Sequence, residues 1–245
     1  MIKMINQDSF EAAKEYCQGD PFGCRILAAM LAYGTDKPFA QFWTQHEGDS
    51  ADGSITAVIS RLDTAMTVCA KGKYDEEELD CFIQANMGYI GALRPAREGE
   101  TANGLVMRLA KRKNVVSSSD AEINPEISDV YAVMEECAGT GFEVPRFDDF
   151  YSDMIYRKKA KTVLSAIVRA DGMPAACGAV HISPGTALLT ICACVPDKRG
   201  KGYAGKVVNA LLDRCADRDV YLMCMPSLHD FYAKFGFLTT GGFVY

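Results

Sequence analysis

Apolar and polar positions follow the same order in two successive blocks of the chain. Each block predicts two helices, three strands and a further helix, followed by a strand that ends near a proline, Pro95 in the first block and Pro226 in the second. The helices have apolar residues at three- and four-residue spacing, whereas the strands are short apolar runs bounded by turn-forming residues. This repeated order predicts an α+β protein made of two similarly built units.

The pattern assigns approximate limits to these elements. In the first block it predicts a short edge strand over 1–5, helices over 9–17 and 22–33, strands over 39–45, 55–61 and 64–70, a helix over 75–86 and a strand over 89–94. In the second block it predicts helices over 127–137 and 146–159, strands over 162–169, 175–182 and 187–195, a long helix from 203, a strand over 220–223, a short helix over 228–234 and a last strand over 238–245.

Residues 96–125 separate the two blocks and are polar and mixed in character. They predict a connection between domains, carrying one short helix near 105–110. The predicted domains are therefore residues 1–115 and residues 125–245.

Composition narrows the class of protein. The chain has 245 residues, of which 49% are hydrophobic and 24% charged, as in a globular protein with a sizeable core. A net charge of −6 argues against a general nucleic-acid binder. No apolar run is long enough to span a membrane, and three scattered histidines suggest no metal site. The ten cysteines lie in apolar runs without a C-x-x-C pair, so we expect free thiols and a cytoplasmic location.

The stretch over 187–205 carries the most specific chemistry. An apolar strand leads into a basic, glycine-rich turn and then into an amphipathic helix. Glycines let the backbone approach a ligand closely, and a helix start offers N–H groups and a positive dipole end. The stretch therefore predicts a phosphate or pyrophosphate site.

Two kinds of protein use such a turn. Gly200, Gly202 and Gly205 match the dinucleotide fingerprint G-x-G-x-x-G in spacing. However, four residues separate the strand from Gly200, and the next strand ends without an acidic residue. About forty residues remain after Gly205, too few for a dinucleotide-binding half. A dinucleotide-binding oxidoreductase is therefore the weakest of the alternatives.

Arg199-x-x-Gly202-x-Ala204 fits a second pattern, R-x-x-G-x-[G/A], and Val195-Pro196-Asp197-Lys198 precedes it. Downstream, Tyr232 is followed by the pair Gly236-Phe237. With these two markers the chain resembles the GNAT superfamily of acyl-CoA N-acyltransferases, most directly over residues 160–245. The resemblance implies two acyl-CoA N-acyltransferase-like domains, each with a mixed, mainly antiparallel sheet flanked by helices.

The resemblance also implies a site and a co-substrate, acetyl-CoA. The strand end would pair with the pantetheine arm through Ala193, Cys194 and Val195. The turn would hold the pyrophosphate through Arg199, Gly200, Lys201, Gly202, Tyr203 and Ala204. Tyr232 would give a proton to the leaving thiolate as the catalytic acid. One departure is Met225, where many members of the superfamily have Asn.

The first block lacks the R-x-x-G-x-[G/A] motif in the corresponding segment between its third strand and its next helix. Four acidic residues, 75–78, open its helix where a pyrophosphate would lie, and they would repel it. The first block is therefore predicted to be a degenerate GNAT-like domain without a CoA site. The alternative is an unrelated α+β domain.

The acceptor is predicted to be a primary amine, on a small molecule or a peptide, and its identity stays open. His181 is a candidate general base, although a histidine on an apolar strand is more often structural. Asp148, Asp149 and Asp153 could attract a cationic amine, although a solvated helix face is the simpler interpretation. The alternative function is a non-catalytic acyl-CoA-binding or scaffolding protein. The oligomeric state is left open.

Overall fold

Two β-sheets form the framework of the chain. The computed structural model describes residues 1–48, 53–87, 91–139 and 143–245. The smaller sheet has four antiparallel strands in sequence order: β1 (Ile2–Met4), β2 (Ala40–His46), β3 (Ile55–Leu62) and β4 (Ala65–Ala70). Its helices are α1 (Phe10–Cys17), α2 (Pro21–Tyr33) and α3 (Glu76–Met87).

The larger sheet has eight strands. They are β5 (Arg94–Pro95), β6 (Gly104–Leu109), β7 (Ala121–Ile123), β8 (Val163–Ala170), β9 (Met173–Ser183), β10 (Thr186–Cys194), β11 (Asp219–Cys224) and β12 (Phe237–Val244). Their spatial order is β5-β12-β6-β11-β10-β9-β8-β7. All neighbours are antiparallel except β10 and β11, which are parallel. The helices are α4 (Ile127–Glu136), α5 (Phe147–Ala160), α6 (Tyr203–Arg214) and α7 (His229–Ala233).

Local sequence signals explain where helices α2 and α5 begin and end. Helix α2 has Pro21 at its first position, and the Asp20 side chain accepts a hydrogen bond of 2.8 Å from the Gly23 amide. Helix α5 begins with Asp148 and Asp149 and ends with basic residues, which complements its dipole. Both helices therefore have sequence-encoded limits.

The larger sheet is covered on both faces. Helix α6 packs its buried residues Val207 and Leu211 on one face, and α4 and α5 pack on the other. Gly178 on β9 makes the α6 contact possible, since a Cβ there would lie 2.8 Å from a methyl group of Val207 and 2.9 Å from one of Leu211. Helix α2 of the first half also reaches this sheet, where Cys24 packs against Leu188.

The predicted element order agrees with the structure in both halves. Each half runs strand, two helices, three strands and a helix before its remaining strands. The strand predicted over 89–94 falls partly on residues outside the described ranges. Leu93 pairs with β4, because its amide donates to Met66 and its carbonyl accepts from Val68, at 3.0 and 2.8 Å. The following β5 pairs with β12, so this segment links the edges of the two sheets.

The helix predicted near 105–110 is wrong, because these residues form β6 between β11 and β12. Met107 packs into the core under α6, whereas Val106 packs into the core of the first half. A strand buried on both faces lacks the alternation that marks a half-exposed strand. The predicted connection thus contributes strands to the larger sheet, and the boundaries 1–115 and 125–245 stay a prediction.

Two further sequence expectations concern cysteines and membranes. All ten cysteines lie within the described ranges, where no disulfide joins them, and seven of them are buried together with apolar residues in the core clusters. None of the helices in the described ranges combines the length and the apolarity that a bilayer crossing requires. Within the same ranges, no group of three His, Cys, Asp or Glu residues is arranged as a metal site.

Candidate active site

A wedge opens between the parallel strands β10 and β11. The two strands pair from Thr186 to Leu189 on β10, and no pairing between them is formed beyond that point in the described residues. A register shift between Leu189 and Ile191 accompanies the separation, while β10 stays paired with β9 as far as Cys194. The residues of β10 that follow Leu189 therefore have no strand partner on the side that faces β11.

Backbone groups of successive strand residues point to opposite sides, which shows which groups at the end of β10 face the wedge. The Val195 amide donates to Ala175 at 3.0 Å, on the β9 side. Successive amides of a strand point to opposite sides, so the Cys194 amide points into the wedge. The Cys194 carbonyl accepts a hydrogen bond of 3.1 Å from Arg199 Nε. Of the three predicted pantetheine-binding residues, Ala193 and Val195 thus face β9 with their backbone amides, and Cys194 faces the wedge.

The turn after β10 is shaped by two glycines. A single 3-10 turn, Pro196–Lys198, leads into Arg199, and helix α6 begins after Gly202. Gly200 and Gly202 have φ angles of 77° and 85°, which favour glycine strongly. No atom lies within 4 Å of a Cβ built on either residue, so the space beside both is open.

The start of α6 is available to a ligand. Gly202 caps this helix without a side-chain hydrogen bond, so the first N–H groups of α6 receive no side-chain acceptor there. Tyr203 and Ala204 form this first turn, and Lys201 is exposed beside it. Arg199 folds back on β10, and Lys198 forms an ion pair of 3.1 Å with Asp171. The geometry is that of an anion-binding helix start.

Tyr232 on α7 lies against the same wedge from the other side. Its hydroxyl lies next to the thiol of Cys192 on β10, and its ring makes an edge contact with Phe231 at a centroid distance of 4.9 Å. The side chain is only 6% exposed. Burial, followed by the neighbouring Cys192, raises the pKa of Tyr232, so the phenol keeps its proton at neutral pH. Burial also raises the pKa of the Cys192 thiol to about 11.

The Gly236-Phe237 pair has a structural explanation. Gly236 has a φ angle of 99°, and a Cβ there would lie 1.7 Å from the Lys111 carbonyl oxygen. Phe237 is fully buried and pairs with Leu109 of β6. The segment just after β6 therefore fixes the position of α7 and of Tyr232. This dependence was missed from the sequence, because the segment was interpreted as a connection.

The candidate bases and amine-binding acids lie on the face covered by α4 and α5. His181 is partly buried and its Nδ1 has no hydrogen-bond partner in the described part of the chain. Burial, followed by the charges of Arg157 and Arg25, lowers the pKa of His181 well below its usual value, so the imidazole is neutral. Asp153 is held by Arg157 and by the Tyr33 hydroxyl, whereas Asp148 and Asp149 are exposed.

The corresponding place in the first half is filled by its own carboxylates. At the start of α3, the Asp75 side chain accepts a hydrogen bond of 2.9 Å from the Glu78 amide. The Glu78 carboxylate in turn forms an ion pair of 3.0 Å with the amino group of Met1. Negative charge therefore already occupies the N-terminal end of α3.

The sequence and the fold are both similar to those of known acetyltransferases. Residues 127–237 match the model of the Acetyltransferase (GNAT) family. Among solved structures, a GNAT-family acetyltransferase from Colwellia psychrerythraea is similar with a TM-score of 0.59 and 15% identity, covering 99% of this chain and 97% of the other. A GCN5-related N-acetyltransferase from Sphaerobacter thermophilus is similar with a TM-score of 0.58 and 14% identity, covering 100% and 93%.

A tandem GNAT protein from the clavulanic acid biosynthesis pathway is similar with a TM-score of 0.54 and 12% identity, covering 100% of this chain and 96% of that protein. No curated protein matches the sequence. At these identities the structural likeness establishes the GNAT-type fold of the chain. The family model covers residues 127–237, so this part of the chain is a GNAT acetyltransferase domain. The predicted fold class is confirmed.

Proposed function

We propose that the chain transfers an acetyl group from acetyl-CoA to a primary amine by direct attack, using one site in its C-terminal half. The observation that carries this proposal is the wedge between β10 and β11, which ends at an uncapped helix start and has Tyr232 against it. The wedge offers backbone groups for an amide-containing arm. The helix start offers N–H groups for a pyrophosphate.

Each predicted residue receives a role in this proposal. The backbone groups of Cys194 at the end of β10 bind the pantetheine arm, while the predicted residues Ala193 and Val195 hold the strand on β9. Arg199 and Lys201 add positive charge at the turn, and the backbone amides from Arg199 to Ala204 surround the pyrophosphate. Gly200 and Gly202 keep this space open.

Tyr232 acts on the leaving group. Attack of an amine on the thioester carbonyl gives a tetrahedral intermediate, whose C–S bond then breaks to release CoA as a thiolate. The phenol donates its proton to the sulfur as this bond breaks, and the proton lost by the attacking nitrogen returns to the phenolate through solvent. Its raised pKa keeps the phenol protonated at neutral pH, so the proton is present when the sulfur leaves, but it also makes the phenol a weaker acid.

The acceptor is proposed to be a small molecule or a peptide. A net charge of −6 gives no general attraction to nucleic acid. Ten cysteines that form no disulfide within the described residues support a reducing, cytoplasmic location.

Turnover with amines tests the proposal. We expect CoA release from acetyl-CoA to depend on an added primary amine, with formation of the N-acetylated product measured by mass spectrometry. Tight acetyl-CoA binding without turnover of any amine in a broad panel would instead favour a non-catalytic acyl-CoA-binding or scaffolding protein.

We predict one acetyl-CoA per chain. The reason is that Asp75 and Glu78 occupy the start of α3 in the first half, and carboxylates there repel a pyrophosphate. Isothermal titration calorimetry measures the stoichiometry directly. A value of two per chain would contradict the degenerate first half, and a value of one that is lost on changing the C-terminal turn would support it.

A further inference from the structure

Two arginines and a histidine from three different elements meet next to the wedge. They are Arg25 on α2, Arg157 on α5 and His181 on β9. Helix α2 reaches β9 at this point, with the Cys24 thiol 3.7 Å from the His181 carbonyl, and the charges of both arginines act on the imidazole. Helix α2 belongs to the first half of the chain, so both halves build this cluster. None of these three residues belongs to the sequence motifs that predict acetyl-CoA binding.

Arg157 is buried with part of its hydrogen-bonding capacity unused. It is 3% exposed, and its Nε lies 2.8 and 2.9 Å from the two carboxylate oxygens of Asp153. Its guanidinium also lies over the Tyr33 ring, 5.5 Å from the centroid. Its Nη1 is buried and has no partner among the described residues. A buried donor without an acceptor is costly, so this atom points to a missing partner.

The charges of the cluster do not balance. Arginine keeps its proton in proteins, so Arg25 and Arg157 are both cationic. Asp153 is the carboxylate that acts on Arg25, and it is already shared between Arg157 and the Tyr33 hydroxyl. Burial, followed by the charge of Arg157, lowers the pKa of Arg25, and His181 is neutral. With two guanidiniums and one carboxylate, the cluster carries one uncompensated positive charge, which an anion would neutralise.

The cluster is close to the place where acetyl transfer is proposed. His181 pairs with Leu188 of β10, and Leu189 is the last residue of β10 that pairs with β11. The cluster therefore lies one residue from the narrow end of the wedge. The glycine turn lies at the wide end, about 20 Å along the strand. In the proposed binding mode, the reacting end of acyl-CoA faces the narrow end.

The cluster also retains access to solvent. His181 and Arg25 are both partly exposed, although burial lowers the pKa of each. A small ligand can therefore approach Arg25 and His181 from solvent, next to the buried guanidinium of Arg157.

We propose that Arg25 and Arg157 bind an anionic group of the acceptor, which makes the substrate class a primary amine that also carries a carboxylate or a phosphate. The inference rests on the proposed function. Guanidinium groups bind planar carboxylates and phosphates through paired hydrogen bonds, and such bonds are stronger than neutral ones. His181, being neutral, adds a hydrogen bond without adding charge. The anion then fixes the amine with its nitrogen toward the narrow end of the wedge.

Matched acceptors test this inference. The probes are linear amino carboxylates of two to six carbons, the corresponding amides and the corresponding aminoalkyl phosphates. We expect the anionic members to have a KM at least 10-fold below that of the matched amide, at similar kcat. The carboxylate and phosphate series distinguish the two kinds of anion. An amide used as well as its carboxylate and phosphate counterparts would overturn the proposal.

Substitutions of the two arginines test whether they cause the preference for anionic acceptors. Arg25→Gln and Arg157→Gln should raise the KM for the anionic acceptor at least 10-fold and leave that for the amide nearly unchanged. Arg25 is partly exposed, so Arg25→Gln carries the test if the buried Arg157→Gln fails to fold. Lys159→Gln is the matched control, because Lys159 is an exposed cation on the same helix. An equal loss for anionic and neutral acceptors in Arg25→Gln would contradict the assignment.

Direct binding separates this inference from the proposed function. If the chain binds no acetyl-CoA and acetylates no amine, the proposed function fails, and calorimetry with the amino carboxylates and aminoalkyl phosphates still tests the anion site. Binding that is lost in Arg25→Gln and kept in Lys159→Gln would support the site. No binding to the parent protein, with or without acetyl-CoA, would overturn it.

Discussion

Gly202→Glu is expected to abolish acetyl-CoA binding, weakening it by at least roughly 100-fold, about 2.7 kcal/mol. Two physical effects act in the same direction. Gly202 has a φ angle of 85°, so any side chain there strains the backbone at the start of α6. The space beside it is open, so the new carboxylate enters the region where the pyrophosphate is proposed to lie and repels it. Calorimetry with acetyl-CoA measures the loss.

Gly185→Glu is the matched control for this substitution. Gly185 also has a positive φ angle, 69°, and open space beside it, but it lies at the opposite end of β10. It therefore reproduces the strain and the added charge away from the turn. Affinity should stay within about threefold of the parent in this variant. Unchanged affinity in Gly202→Glu, with the fold retained by circular dichroism, would contradict the assignment of the turn.

The turn and the helix after it could be predicted because their signals are local. Gly200 and Gly202 need positive φ angles, and α6 has an apolar stripe of helical spacing. The same holds for the repeated order of elements in the two halves. Local signals of this kind depend on residues a few positions apart, so the sequence carries them directly.

Strand β6 could not be predicted, because its identity depends on distant partners. Its apolar residues face two different cores, one under α6 and one in the first half, and Arg108 is its one charged residue. Only the pairing with β11 and β12 separates a buried strand from a buried helix of similar length. The consequence for the site is direct, since the segment after β6 lies against Gly236 and thereby fixes α7.

The arginine cluster was missed for a related reason. Arg157 belongs to a basic last turn of α5, where a cation normally serves the helix dipole and lies in solvent. Arg25 lies in a helix of the other half, and neither residue belongs to a motif. Only the packing of α2 and α5 on the same sheet face brings them together, which a linear pattern does not encode.

Tyr232→Phe is expected to reduce the rate of amine acetylation by roughly 10²-fold, the low end for a lost general acid. The substitution keeps the ring and its edge contacts with Phe231 and Phe237 and removes only the hydroxyl. A proton donated to the sulfur is useful only as the C–S bond breaks, so kcat falls while the Kd for acetyl-CoA changes little. A thiolate is a good leaving group, which limits the effect.

Tyr16→Phe is the control, because it removes a hydroxyl from the first half, where Tyr16 bonds to Thr56 and Lys71. Its kcat should match that of the parent. In Tyr232→Phe the contact of the hydroxyl with Cys192 is also lost, so thermal unfolding shows whether the fold is retained. A parent-like kcat would assign proton donation to water or another residue. A large loss of acetyl-CoA affinity at an unchanged kcat would make Tyr232 a binding residue, because transition-state stabilisation alone leaves ground-state binding intact.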